Sequence, residues 1–138
     1  MATELPKPIE VAAGLIFRAG KLLIAQRHAN AHLGGLWEFP GGKLETGETY
    51  EQSLVRELHE ELGVEVAVGE LFETVAHAYP EKTVRLKFFL CHLTCGEPEP
   101  LGCAAIRWVS RLELDEHTFP AADAGLLGKI RAAEELWQ

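Results

Sequence analysis

A mixed β-sheet with helices on both faces is the architecture this sequence predicts. Strand-like segments outnumber helical ones, and their order is neither a clean strand–helix–strand alternation nor all strand, which together favour such a layered fold. With 138 residues, 47% of them hydrophobic, the chain has material for one domain with a real core and none for a second.

Residues 1–8, with two prolines and mixed charge, read as a loose lead-in. Ile9 to Phe17 reads as a strand, Ala19-Gly20 as a hairpin turn and Lys21 to Arg27 as the returning strand. His28 to Leu36 is a loop rich in small residues, and Trp37-Glu38-Phe39 makes a brief strand before Pro40. Gly41 and Gly42 then form a glycine loop that leads into a helix. Val64 to Ala78 and Thr83 to Leu93 alternate apolar and polar residues in part, with Tyr79-Pro80-Glu81-Lys82 between them as a hairpin loop. Gly96 to Gly102 is irregular, Ala104 to Val109 is a last strand, and Ala121 to Trp137 reads as an amphipathic helix after the Phe119-Pro120 turn.

The first helix, Tyr50 to Leu62, has the clearest boundaries. Thr49 followed by Gln52 is a capping box, Gly63 is the residue able to take the left-handed stop, and good helix formers fill the space between. At 100° per residue Leu54, Val55, Leu58 and Leu62 fall on one side as a buried stripe. Glu57, Glu60 and Glu61 gather on a neighbouring face beside the core. Clustered carboxylates repel and raise one another's pKa, and a hard cation reverses that sign. Oxygen ligands suit Mg²⁺, or Mn²⁺. Arg56 can steady Glu60 by an i,i+4 ion pair, and the glycines allow the backbone to come close and lend a carbonyl. Glu51 and Glu65 read as solvated surface.

These residues stand in a longer pattern. Gly42, five residues, Glu48, seven residues, then Arg56-Glu57-Leu58-His59-Glu60-Glu61-Leu62-Gly63-Val64 resembles the complete Nudix box. The resemblance implies an α/β/α sandwich that uses Mg²⁺ to hydrolyse a nucleoside diphosphate linked to another moiety, with the loop–helix–loop as the metal and pyrophosphate site. Within that family the chain looks most like the MutT group of nucleoside triphosphate pyrophosphohydrolases. Ala25-Gln26-Arg27, Ala31-His32 and Trp37 to Lys43 resemble that group's approach to the site, and Phe119 to Asp123 resembles the segment that reaches the nucleobase. The implied reaction is attack of water on a phosphorus of an NTP or dNTP, releasing monophosphate and pyrophosphate, and the group's well-known substrate is 8-oxo-dGTP.

The resemblance implies roles for individual residues. Glu57, Glu60 and Glu61, with the Gly41 carbonyl, would hold the cation, and Glu57 or Glu60 would be the general base. Glu48 would partner Arg56 or the metal network. Arg27 would neutralise phosphate charge, Lys82 is a further phosphate candidate at a loop tip, and Phe39 and Tyr79 could stack on a base or pack in the core. His32 and His59 read as loop and surface histidines. Two positions depart from the group's pattern. Asp123 stands where the group has asparagine, which can both donate and accept and so suits the O6 and N7–H edge of 8-oxoguanine. An ionised aspartate only accepts, and it resembles relatives that prefer CTP and 5-methyl-dCTP. Gly102 stands where the group has a further acidic ligand, with Glu97 and Glu99 the nearby acids.

The net charge of −8 argues against a nucleic-acid polymer or an anionic membrane as partner, leaving a small nucleotide whose charge is offset locally. Cys91, Cys95 and Cys103 have no paired metal-ligand spacing and read as free thiols in a reducing cytoplasm. No basic segment precedes the apolar run Val11 to Phe17, and no run nears the ~20 apolar residues of a membrane helix. Monomer and homodimer both remain compatible with the sequence. The alternatives to 8-oxo-dGTP hydrolysis are a cytosine-nucleotide pyrophosphohydrolase and a non-catalytic nucleotide-sensing module.

Overall fold

The computed structural model describes residues 7–138, so most of the expected lead-in, residues 1–6, lies outside the described residues. Among the described residues seven strands and two α-helices form the expected sandwich. The strands are β1 (Ile9–Arg18), β2 (Lys21–Gln26), β3 (Trp37–Glu38), β4 (Gly41–Lys43), β5 (Glu65–Ala78), β6 (Thr83–Cys95) and β7 (Ala105–Val109). The helices are α1 (Tyr50–Leu62) and α2 (Ala124–Ala132).

β1 organises the sheet. It lies parallel to β6 from Ile9 opposite Val84 to Ile16 opposite Cys91, and antiparallel to β4 from Val11 opposite Lys43 to Ala13 opposite Gly41. Only its end, Phe17 and Arg18, pairs with β2. β2 carries β3 on one side and β7 on the other, and β5 closes the far edge against β6. The period of two in β1 then divides the core into two layers. Ala13 and Leu15 join Leu22, Ile24, Phe88, Leu126 and Ile130 under α2. Ala12 and Ile16 join Leu23, Phe89, Leu54, Leu58 and Leu62 under α1. Burying each of those α1 leucines completely contributes about 2 kcal/mol from apolar area alone.

The glycine segment before α1 is a strand rather than a loop. Gly41 pairs so closely with β1 that a side chain on it would collide with the Ala12 carbonyl, which is why glycine stands within a strand there. α1 begins and ends as expected: the Thr49 hydroxyl accepts from the Gln52 N–H, the Gln52 side chain accepts from the Thr49 N–H, and Gly63 takes φ 70° while its N–H donates to His59. Val55 does not belong to the buried stripe, since it is 42% exposed. On a helical wheel it and Glu61 flank the three leucines at about 60° on opposite sides, and the sheet covers the Glu61 flank.

Two further differences lie near the C-terminus. The expected helix from Ala121 to Trp137 is a 3₁₀ turn (Ala121–Asp123), then α2, then a second 3₁₀ turn (Glu134–Trp137). Ala133 leaves helical geometry at φ −85°, ψ 75°, which lets Trp137 fold back, donate Nε1–H to the Ile130 carbonyl and pack edge-on against Phe17. Glu113–Glu116 forms another 3₁₀ turn. It opens on a reciprocal pair, Ser110 N–H to Glu113 Oε1 and Glu113 N–H to Ser110 Oγ, the same capping logic as Thr49 and Gln52. All three cysteines are free, and among the described residues no helix is long and apolar enough to cross a membrane.

Candidate active site

Two neighbouring structures make the site. The first is a charged network on α1 with Arg56 at its centre. Arg56 grips Glu48 with two parallel bonds, Nε to Oε2 at 2.7 Å and Nη2 to Oε1 at 2.9 Å. Its Nη1 donates to Glu57 Oε1 at 2.9 Å and to Glu60 Oε2 at 3.3 Å, and Nη2 also reaches the Lys43 carbonyl. The i,i+4 pair with Glu60 therefore exists, but the fork-to-fork partner is Glu48. With Arg56 and the Glu45 N–H both bonded to it, the Glu48 carboxyl is held down to about 2. Arg56 is raised in turn by the same partners. The Glu57 carboxylate lies against the backbone of Gly42, where any side chain would run into it.

The second structure is a cavity of about 660 Å³ between the sheet and the 3₁₀ turn that precedes α2. Val11 and Ala13 of β1 and Val84, Leu86 and Phe88 of β6 give it apolar walls, and Gly41, Gly42 and Lys43 border the α1 network. It gathers Arg27, Phe39, Gly41, Glu61, Tyr79, Lys82 and Asp123 from segments far apart in sequence. Phe39 is only 5% exposed, stacked on Phe119 with ring centres 5.2 Å apart and edge-on to Phe88, so its main partner is the core. Tyr79 is 37% exposed, with His77 edge-on at 4.4 Å.

Glu61 connects the two structures. Burial, then the charges of Glu57 and Glu38, push its carboxyl up to about 8, while hydrogen bonding from the Gly41 backbone and the charge of Arg27 oppose the rise. Asp123 is pushed up to about 6, by burial first and by Glu38 second. Among the described residues no three His, Cys, Asp or Glu side chains stand close enough to enclose a cation by themselves. Glu60 is the reason on α1: its side chain is 57% exposed and turned to Arg56. Glu57 and Glu61 lie around the two glycines, and the Glu60 side chain is turned to Arg56.

His32 and His59 are the loop and surface histidines that the sequence suggested: His32 also lines the cavity and its carbonyl accepts from Arg27 Nε, while His59 is on the outer surface of α1. Glu97 is engaged by Arg18 through two bonds of 2.9 and 3.0 Å, Glu99 is exposed, and neither lines the cavity. Gly102 packs on the stem of Glu61, and the N–H groups of Leu101 and Gly102 cap the Glu61 carbonyl, so residues 96–102 serve as the C-terminal seat of α1. The carboxylate that sequence reasoning left without a role is Glu38. It lines the cavity, and the signals for it are its place in the Trp37 to Lys43 segment and the strand alternation that turns Glu38 away from Trp37.

Known proteins resemble this chain over most of its length. The NUDIX domain profile matches residues 12–129. An 8-oxo-dGTP diphosphatase of Proteus vulgaris is 51% identical over 85 residues, 61% of this chain and 76% of its own. A CTP pyrophosphohydrolase of Escherichia coli strain K12 is 40% identical over 126 residues, 91% of this chain and 93% of its own. The solution structure of a MutT protein of methicillin-resistant Staphylococcus aureus 252 superimposes with a TM-score of 0.75 at 37% identity, covering 91% of this chain and 97% of that one. A complete box on a capped helix, the sandwich around it and these matches place the chain in the Nudix family of hydrolases.

Proposed function

We propose that this hydrolase is a Mg²⁺-dependent pyrophosphohydrolase of nucleoside triphosphates that removes 8-oxo-dGTP, splitting it to the monophosphate and pyrophosphate. One observation carries the reading. A largely apolar cavity of nucleotide size has a half-buried acid, Asp123, in one wall and opens at Gly41 and Glu61 onto the acidic network of α1. A base fits the first region and phosphates the second.

The residues suit a cation. Glu61 is a half-buried carboxyl near the charges of two other carboxylates, and Glu57 lies against a backbone with no side chain in the way. Mg²⁺ commonly uses one or two carboxylates and takes its remaining ligands from phosphates and water, so Glu57, Glu61 and the Gly41 carbonyl are a sufficient donor set, with Glu60 at its edge. The ion would offset phosphate charge and lower the pKa of the attacking water. Arg56 fixes Glu57 through Oε1, and Glu57 is the base, since its side chain is 17% exposed against 57% for Glu60. Arg27, Lys82 and Tyr79 line the path of the nucleotide. The free thiols suit a reducing compartment, and we place the protein in the cytoplasm.

Asp123 favours a second reading, the same reaction on cytosine nucleotides. Above about pH 6 its ionised carboxylate only accepts, which suits the amino group of cytosine. Below that pH the neutral acid both donates and accepts, as the 8-oxoguanine edge requires. The test is a hydrolysis screen of 8-oxo-dGTP, dGTP, CTP and 5-methyl-dCTP with Mg²⁺ from pH 5 to 8, with product identification. Expected is a preference for 8-oxo-dGTP that weakens as pH rises in the native protein and becomes pH-independent in Asp123→Asn. A cytosine preference throughout would establish the second reading, and nucleotide binding with no metal-dependent product would leave a sensing module.

A further inference from the structure

Arg27 and Glu38 meet at the edge of the cavity, Arg27 directly after β2 and Glu38 within the paired strand β3. Arg27 Nη1 donates to Glu38 Oε2 at 2.8 Å, with the side chains 31% and 33% exposed. Arg27 Nε donates to the His32 carbonyl at 2.6 Å. The same residue closes the loop 28–36 through its backbone: its N–H donates to Leu36 O at 2.9 Å, and its carbonyl accepts from the Gly35 N–H at 3.1 Å. Gln26 Nε2 adds a bond to the Gly35 carbonyl at 3.1 Å. The loop brings His32 and Leu33 to the cavity wall, and Leu33 sits at φ 56°, a conformation that leucine adopts only when its surroundings impose it.

We propose that Glu38 is a positioning residue for the nucleotide: by accepting from Nη1 it locks the Arg27 guanidinium against the His32 carbonyl, so that loop 28–36 stays folded as a wall of the cavity. Among the described residues Arg27 Nη2 makes no hydrogen bond, which leaves that nitrogen for a phosphate oxygen while the other two hold the loop. A planar guanidinium fixed at two nitrogens presents the third in one direction, and the ordering is complete before substrate arrives. Glu38 lines the cavity together with Glu61 and Asp123. The inference rests on the nucleotide reading for its kinetic part only.

The experiment compares Glu38→Ala, Glu38→Gln, Arg27→Ala and the double variant Arg27→Ala/Glu38→Ala. Hydrogen exchange of residues 28–36 in the substrate-free protein reads the lock directly. KM and kcat are measured with the best nucleotide of the native protein. Loss of a hydrogen bond to a charged group predicts a KM about 10-fold higher in Glu38→Ala, with kcat within about 3-fold because no transition-state contact is touched. Faster exchange is expected in the loop alone. Glu38→Gln, which keeps an acceptor, should recover most of both effects, and the double variant should be no worse than Arg27→Ala. Unchanged loop exchange in Glu38→Ala overturns the proposal. So does a lower KM, which would make Glu38 a competitor of phosphate for Arg27. So does a large loss of kcat with altered Mg²⁺ activation, which would make Glu38 a metal ligand. If the native protein hydrolyses no nucleotide, the functional reading fails, and loop exchange still decides whether Glu38 holds Arg27.

Discussion

The two halves of the site are built in opposite ways. The α1 network takes its groups from one stretch, Gly42 to Gly63, joined by hydrogen bonds that Arg56 radiates. The cavity takes its groups from β1, β3, β6, the hairpin loop and the 3₁₀ turn that precedes α2, and packing holds them together. The contrast teaches where each kind of change will be felt. A charge removed from α1 should alter chemistry at constant fold, whereas a change in the cavity should alter which base is accepted.

The sharpest way to test this division is Glu57→Gln. It keeps the shape beside Gly42 and the acceptor for Arg56 but removes the base, so kcat should fall by about 10²–10⁴-fold with thermal unfolding unchanged within error. Full turnover in this variant would remove Glu57 from the mechanism.

A smaller effect should come from Glu61, which belongs to both halves. Its folded pKa, about 8, lies above that of an unfolded glutamate, 4.5, so between those values the native state binds more protons. In the absence of divalent cation, stability should therefore decline as pH rises from about 5 to 8 and level off beyond. Glu61→Gln should flatten that decline, and saturating Mg²⁺ should do the same in the native protein, because the ion replaces the proton as counter-charge. Thermal melts with EDTA or Mg²⁺ across this range read it directly. A native melting curve indifferent to Mg²⁺ at pH 8 would count against Glu61 as a ligand.

The smallest effect lies at the capping box, outside both halves. Thr49→Ala loses one bond to the Gln52 N–H and should cost about 1 kcal/mol of stability, measured by urea unfolding, with kcat and KM unchanged. A kinetic effect there would mean that the start of α1 is coupled to chemistry more tightly than the separate networks suggest.

The same division explains what could be read before any coordinates. α1 was legible to the residue because caps, stripe and glycine stop are local, and local interactions leave local marks. Its carboxylates were legible as a group but not in detail: Glu60 turns outward to Arg56, and only packing tells that the sheet covers the Glu61 flank rather than the Val55 flank. The cavity was legible only as scattered candidates, since Arg27, Glu38, Tyr79 and Asp123 become neighbours through strand pairing that no short window contains. Two misses had other causes. Ser110 to Glu113 carries the same capping signature as Thr49 to Gln52 but has no apolar run behind it to mark a helix. The helix expected up to Trp137 breaks at Ala133, a residue with every propensity to continue, because the tryptophan gains more by packing on Phe17.

The parallel ladder between β1 and β6 sets the order of events during synthesis. β1 precedes β6 in the chain, so its long edge has no partner until β6 has followed, and its contact with β2 is only two residue pairs at the tip. Contacts between segments so far apart in the chain form late and all together, because the closing loop must be ordered before it is rewarded. β6 also supplies the floor of the cavity, and its arrival fixes β1, to which Gly41 and Gly42 are zipped. A nascent chain ending before β6 would thus hold its glycines and acidic helix only through the short ladder from β4 to β1, and the hydrolytic centre would be completed in the same step that completes the sheet.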